Sequence, residues 1–141
     1  MKTILRQLIL MLALTALGAC TSNNGNIGPW FGLWKVTEIK CDGVAVPNYD
    51  GNVFFMFQST VFEMRQVNDN YEVGDQYGVW SDDGKGTLVI TFPDEQYSPF
   101  EVTHMAQTNN VLTYSKVEDK GFDLTLHTES GRVYSYRLVK W

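Results

Sequence analysis

Few residues in this chain could carry chemistry. Two histidines, His104 and His127, and two cysteines, Cys20 and Cys41, stand among 141 residues. A serine hydrolase of the elbow type sets its nucleophile on a sharp turn, and no Gly-x-Ser-x-Gly stretch occurs. A metal site needs several ligands converging, yet neither a paired-cysteine nor a His-x-x-x-His spacing is present. If residues 100–107 are extended, His104 shares a face with Phe100 and Val102 and points inward. An inward imidazole could ligate haem, act as a base, or sit hydrogen-bonded in a core. His127 shares a face with Asp123 and Thr125 and is expected to face water. Asp82-Asp83-Gly84 and Asp94-Glu95 read as solvated acidic turns, with calcium as an alternative. The expectation is a non-enzymatic chain with no cofactor and no metal.

Aromatic side chains are the more abundant resource. Trp30, Tyr49, Tyr71, Tyr77, Trp80 and Tyr97 fall near expected strand ends or in connections, where rings could line a pocket or stack on sugars. The elements that position them read almost entirely as strand and turn. Candidate strands cover 31–40, 52–58, 61–67, 71–81, 86–92, 100–107, 111–117, 122–128 and 132–140. Turn signals at Asn68-Asp69-Asn70, Asp83-Gly84, Asn109-Asn110, Asp119-Lys120-Gly121 and Ser130-Gly131 separate them. Such spacing predicts antiparallel neighbours joined by hairpins.

Alternation then assigns faces. Phe62 and Met64 alternate with Glu63 and Arg65; Phe122, Leu124 and Leu126 alternate with Asp123, Thr125 and His127. Leu88, Ile90 and Phe92 share one face, as do Tyr134, Tyr136 and Leu138. Eight or nine half-buried strands either stack as two sheets or close on themselves, and closure removes the edges that invite aggregation. The expected fold is all-β, a single antiparallel up-and-down barrel of 8–9 strands over residues 30–141, with a β-sandwich as the competing arrangement.

The amino-terminal residues belong to a different chemistry. Lys2 and Arg6 precede an apolar run from Leu8 to Leu17, which is too short for the roughly 20 residues a spanning helix needs. Leu17-Gly18-Ala19-Cys20 resembles the bacterial lipobox, in which the cysteine thiol is acylated and becomes the new N-terminus. That resemblance implies a signal peptide at 1–19, a lipidated Cys20 with a flexible tether at 20–29, and a membrane as partner. An ordinary secretory signal ending near a cysteine is the alternative. Thr21 is not the aspartate associated with inner-membrane retention, so the outer membrane is the expected site. Cleavage leaves 9 basic against 16 acidic side chains, a net charge of −7 in place of −5, which disfavours nucleic acid as a partner. Lipid on Cys20 would leave Cys41 without a disulfide partner, and burial as a small hydrophobe is its expected fate.

Gly32-Leu33-Trp34, at the start of the first expected strand and ahead of a meander of hairpins, resembles the Gly-x-Trp signature of the lipocalin and calycin family. The resemblance implies a cup-like barrel whose first-strand tryptophan closes the narrow end and packs against an arginine near the last strand. Gly32 and Trp34 match the motif; Arg137 or Arg132 could supply the cation by stacking on the indole. It further implies a binding module for a small apolar or amphipathic ligand, with Trp34, Val36, Phe62, Met64, Leu88, Ile90, His104 and Tyr136 as candidate lining residues. The same large side chains could instead fill a small barrel. In that case the chain contacts an envelope protein or glycan through its loops.

Overall fold

The computed structural model describes residues 28–118 and 121–141. The expected signal peptide, Cys20 and most of the tether lie outside these residues, as do Asp119 and Lys120. Nine strands form one antiparallel sheet: β1 (Gly32–Cys41), β2 (Val44–Ala45), β3 (Val53–Gln58), β4 (Val61–Val67), β5 (Val73–Asp82), β6 (Thr87–Thr91), β7 (Asn110–Val117), β8 (Gly121–His127) and β9 (Val133–Lys140). Each of β3 to β9 pairs with its neighbour in sequence, and β9 returns to pair with β1. Eight strands therefore close a barrel, while β2 is a short flap on the end of β1. The sandwich alternative is excluded, because the β1–β9 ladder runs from Trp34↔Lys140 to Cys41↔Tyr134.

The alternation seen in sequence sets the inside of this barrel. Phe55, Phe57, Phe62, Met64, Leu88, Ile90, Leu112, Leu124, Tyr136 and Leu138 are fully buried, and the intervening polar residues point outward. In β1 the period breaks once. Val36 pairs with Leu138 and Glu38 with Arg137, so Thr37 is an extra residue on the β1 side. Its hydroxyl donates to the Arg137 carbonyl at 3.2 Å. The bulge shifts the phase, so Ile39 follows Trp34 and Val36 into the core.

Two glycines are required by the closure. Gly78 lies where a Cβ would meet the Thr91 carbonyl oxygen at 2.5 Å, so β5 and β6 approach each other only because this side chain is missing. Gly32 has φ +109°, and a Cβ there would meet the Lys140 ammonium at 2.8 Å. The glycine of Gly-Leu-Trp thus lets the chain turn into β1 above the end of β9.

One expected strand is absent. Residues 100–107 form no ladder: Glu101–Thr103 make a single 3-10 turn that ends on His104 with φ 53°. β6 and β7 pair directly, Thr87↔Thr113 to Ile90↔Asn110, which leaves the intervening segment no strand to join. Pro93 and Pro99, which cannot donate to a ladder, bias the same segment against extended pairing. Residues 93–109 fold instead across one end of the barrel.

Candidate functional site at the barrel mouth

The two ends of the barrel differ. At the closed end Trp30, fully buried, stacks on Phe122 with centroids 4.3 Å apart and meets Tyr114 edge-on at 4.9 Å. Its indole donates to Asp82 at 3.0 Å, and the Trp34 indole donates to the Trp30 carbonyl at 2.7 Å. Here the expected cation is corrected. Arg137 pairs with Asp123 on the outer face of β8 and β9, and Arg132 pairs with Asp42 at 3.2 Å at the opposite end. Lys140 covers the Trp34 ring instead, its ammonium 4.5 Å from the centroid. The register explains the choice: Lys140 is the direct cross-strand partner of Trp34 and shares its face, whereas Arg137 faces outward. Burial pushes the Lys140 pKa below its ordinary value.

Seven of the eight candidate lining residues meet inside the barrel: Trp34, Val36, Phe62, Met64, Leu88, Ile90 and Tyr136, each 3% exposed or less. Their neighbours are rings at contact distance. Phe55 and Phe57 each lie 5.2 Å from Phe62, Phe92 lies 6.0 Å from it, and Tyr136 lies 6.2 Å from Phe55. These aromatic side chains occupy the cross-section of the barrel.

At the mouth, the 93–109 segment is fastened over this core. The Tyr136 hydroxyl donates to the carbonyl of buried Thr103, and burial pushes the phenol pKa well above its ordinary value. Asn110, 2% exposed, donates to Ile90 O at 3.1 Å and Ala106 O at 2.8 Å and accepts from Ala106 N at 2.7 Å. Gln107 donates to Phe92 O at 2.8 Å and Tyr97 O at 2.6 Å. From the first connection, the Tyr49 hydroxyl donates to Val36 O at 2.6 Å and closes the other side. Asn110→Ala deletes an acceptor and two donors in a dry setting. The expected loss is about 1–3 kcal/mol, measured by denaturant unfolding, together with faster hydrogen exchange at the Ala106 amide.

Among the described residues, two crevices lie at this end. One, of about 440 Å³, lies between Tyr49, Asp50 and the 68–72 turn. The other, of about 360 Å³, lies between residues 104–110 and the β8–β9 hairpin, with Leu126, Met105 and Tyr134 as its apolar wall and His104, His127, Asn110 and Glu129 as polar groups. His104 was expected to point inward. It is exposed and stacks on Tyr134, centroids 4.5 Å apart and planes 16° from parallel, because the 3-10 turn replaces the strand that would have aimed it at the core. His127 faces water as its alternation requires.

Beside this crevice Cys41 is half-buried rather than sealed in the core, its sulfur 3.7 Å from the Arg132 guanidinium. Tyr134 is the direct cross-strand partner of Cys41, and the neighbouring thiol first, then burial, raises the phenol pKa. Asp42 accepts from the Val133 amide at 3.0 Å, which with Arg132 holds its carboxyl below the ordinary value. Among the described residues no group of three or more His, Cys, Asp and Glu side chains could hold a metal ion.

Sequence reasoning missed three mouth and end residues that matter. Trp30 and Trp80 read as surface aromatics and are core. Asn110 read as a turn residue and is the buried clamp of the mouth; no local pattern marks it, since its three partners come from the β6 end and the crossing segment.

An eight-stranded antiparallel barrel with one plugged end, a Gly-x-Trp first strand and a loop-bearing mouth defines a lipocalin-like fold. Solved structures agree with this class. A lipocalin-like protein from Bacteroides uniformis superposes with a TM-score of 0.59 at 17% identity, covering 81% of this chain and 100% of its own. An uncharacterized protein from Bacteroides eggerthii gives a TM-score of 0.55 at 21% identity, covering 79% and 99%. No family model and no curated protein matches the sequence.

Proposed function

We propose that this chain is a lipoprotein of the outer membrane, acylated on Cys20, whose lipocalin-like barrel binds a small amphipathic ligand without catalysis in the crevice between residues 104–110 and the β8–β9 hairpin. The observation that carries the binding site is the contrast between the two compartments of the barrel. Rings fill the interior, whereas the crevice is open, about 360 Å³, and is lined by the stacked His104–Tyr134 pair, by Leu126 and by polar side chains such as Asn110 and Glu129. That size and mixed lining suit a small ligand with one apolar face. Anchoring is supported by the order Lys2, Arg6, apolar run, Leu17-Gly18-Ala19-Cys20.

A second reading, contact with an envelope protein or glycan through the same loops, is favoured by the filled interior itself. The two separate on one experiment. Intact protein from the membranes of its own host is extracted, and co-purifying small molecules are profiled by mass spectrometry, beside Ala106→Trp. Ala106 is exposed and lines the crevice, so the new ring fills it without entering the core. A compound present at near-equimolar amount in the wild type and lost in Ala106→Trp is the expected result. Absence of any such compound, or its retention in a folded Ala106→Trp protein, overturns the small-ligand reading.

A further inference from the structure

We propose that the outer wall at the closed end, where Trp141, Phe54 and Lys35 meet, with exposed Phe31 and Lys140 at its rim, seats against the lipid–water interface of the membrane. This rests on the lipidation of Cys20 proposed above. Trp141 is 69% exposed and Phe31 49%, and both are held in place. The Trp141 amide donates to Leu33 O at 3.0 Å. Its ring meets Phe54 edge-on at 5.5 Å. The Lys35 ammonium lies 5.1 Å from the Trp141 centroid and 6.0 Å from that of Phe54. Lys140 donates to the Phe31 carbonyl. The result is an outer surface of Trp141, Phe54 and the Lys35 ammonium, with exposed Phe31 and the Lys140 side chain at the rim of the closed end.

Three observations select a bilayer as the occupant. The first is composition: exposed tryptophan and phenylalanine with lysine stems is the set that settles at the headgroup level, where an indole has one apolar and one wet side and an ammonium reaches phosphate. The second is charge. The chain is acidic overall, at −5, and Lys40, Arg65, Arg132 and Arg137 all pair with carboxylates. Among the described residues Lys35, like Lys85, Lys116 and Lys140, has no carboxylate partner, so beside the Trp141 and Phe54 rings this wall offers the Lys35 ammonium to an anionic surface. The third is reach. The described chain starts at Gly28, whose carbonyl accepts from the Phe31 amide at 3.3 Å, so the segment leading to Cys20 departs from the patch itself. The residues from Thr21 to Gly28 span at most about 29 Å even when fully extended. A lipid on Cys20 therefore keeps the closed end, from which the tether leaves, within about 29 Å of the headgroups, nearer to them than the tether requires of the mouth.

Trp141 reports on this directly, because Trp30, Trp34 and Trp80 are each 9% exposed or less. The mature protein, its mass measured first for the acyl increment, is reconstituted in vesicles of phosphatidylethanolamine and phosphatidylglycerol. Part of the lipid is phosphatidylcholine brominated near the carbonyl end of its acyl chains. Bromine is expected to quench a component of the emission that is missing in Trp141→Phe, and Phe31→Ser with Lys35→Glu is expected to lose most of that quenching while still floating with the vesicles. A full acyl increment and flotation without quenching overturns the docking and leaves the lipidation standing. A mass without the increment overturns the lipidation and, with it, the argument from reach. Trp141 shielded in a lipid-free dimer, and unquenched in vesicles, assigns the patch to a second copy and overturns the proposal.

Discussion

Trp34→Ala is expected to lower the unfolding free energy by about 3–5 kcal/mol, the range for deleting a fully buried large aromatic side chain. Trp34 is 3% exposed, lies 6.1 Å from Trp30 and 5.4 Å from Phe122, and carries Lys140 on its face. Its removal takes a donor from the Trp30 carbonyl and leaves the plug of the closed end one ring short. Trp141→Ala, which removes an exposed ring, should shift the same denaturation midpoint far less. Equal small shifts in both variants would mean that the closed end is not held by the Gly-x-Trp strand.

That contrast also marks how far the sequence could be read. The alternation of Phe62 and Met64, and of Phe122, Leu124 and Leu126, was visible because a strand with one dry face repeats every two residues. Closure into a barrel followed from short turns and the need to hide edges, and the β1–β9 ladder bears it out. Features that depend on where a chain crosses another were not visible. The bulge at Thr37 brings Ile39 inward through a register fixed by β9, which lies about a hundred residues away in sequence. Residues 100–107 carry enough apolar side chains to read as a strand, and only the direct pairing of β6 with β7 shows that no edge is free for them. The position of His104 changed with that one misread element. Lys140 took the place expected of Arg137 for a similar reason. Residue type suggested a guanidinium on the indole, but the face on which each side chain stands is set by register, and Arg137 stands on the wrong one.

Ile90→Trp tests the interior from the opposite direction, by adding volume. Ile90 is fully buried, its strand partners are Trp80 and Asn110, and its carbonyl is held by the Asn110 amide at 3.1 Å. An indole at this position has to displace packed rings or lift the 93–109 segment that Asn110 fastens. The expected cost is about 1–3 kcal/mol, the range for overpacking a filled core. The measurement pairs denaturant unfolding of the variant with titration of wild type and variant by an environment-sensitive apolar dye. If the ligand site is the crevice, any dye that the wild type takes up is competed away by the Ala106→Trp ring and not by the Ile90→Trp ring in protein that remains folded, since Ala106 lines the crevice and Ile90 lies beneath it. A variant of unchanged stability that has lost dye binding reverses the assignment. It would mean that the side chains around Ile90 yield enough space to admit a ligand, and that the barrel interior is the binding compartment.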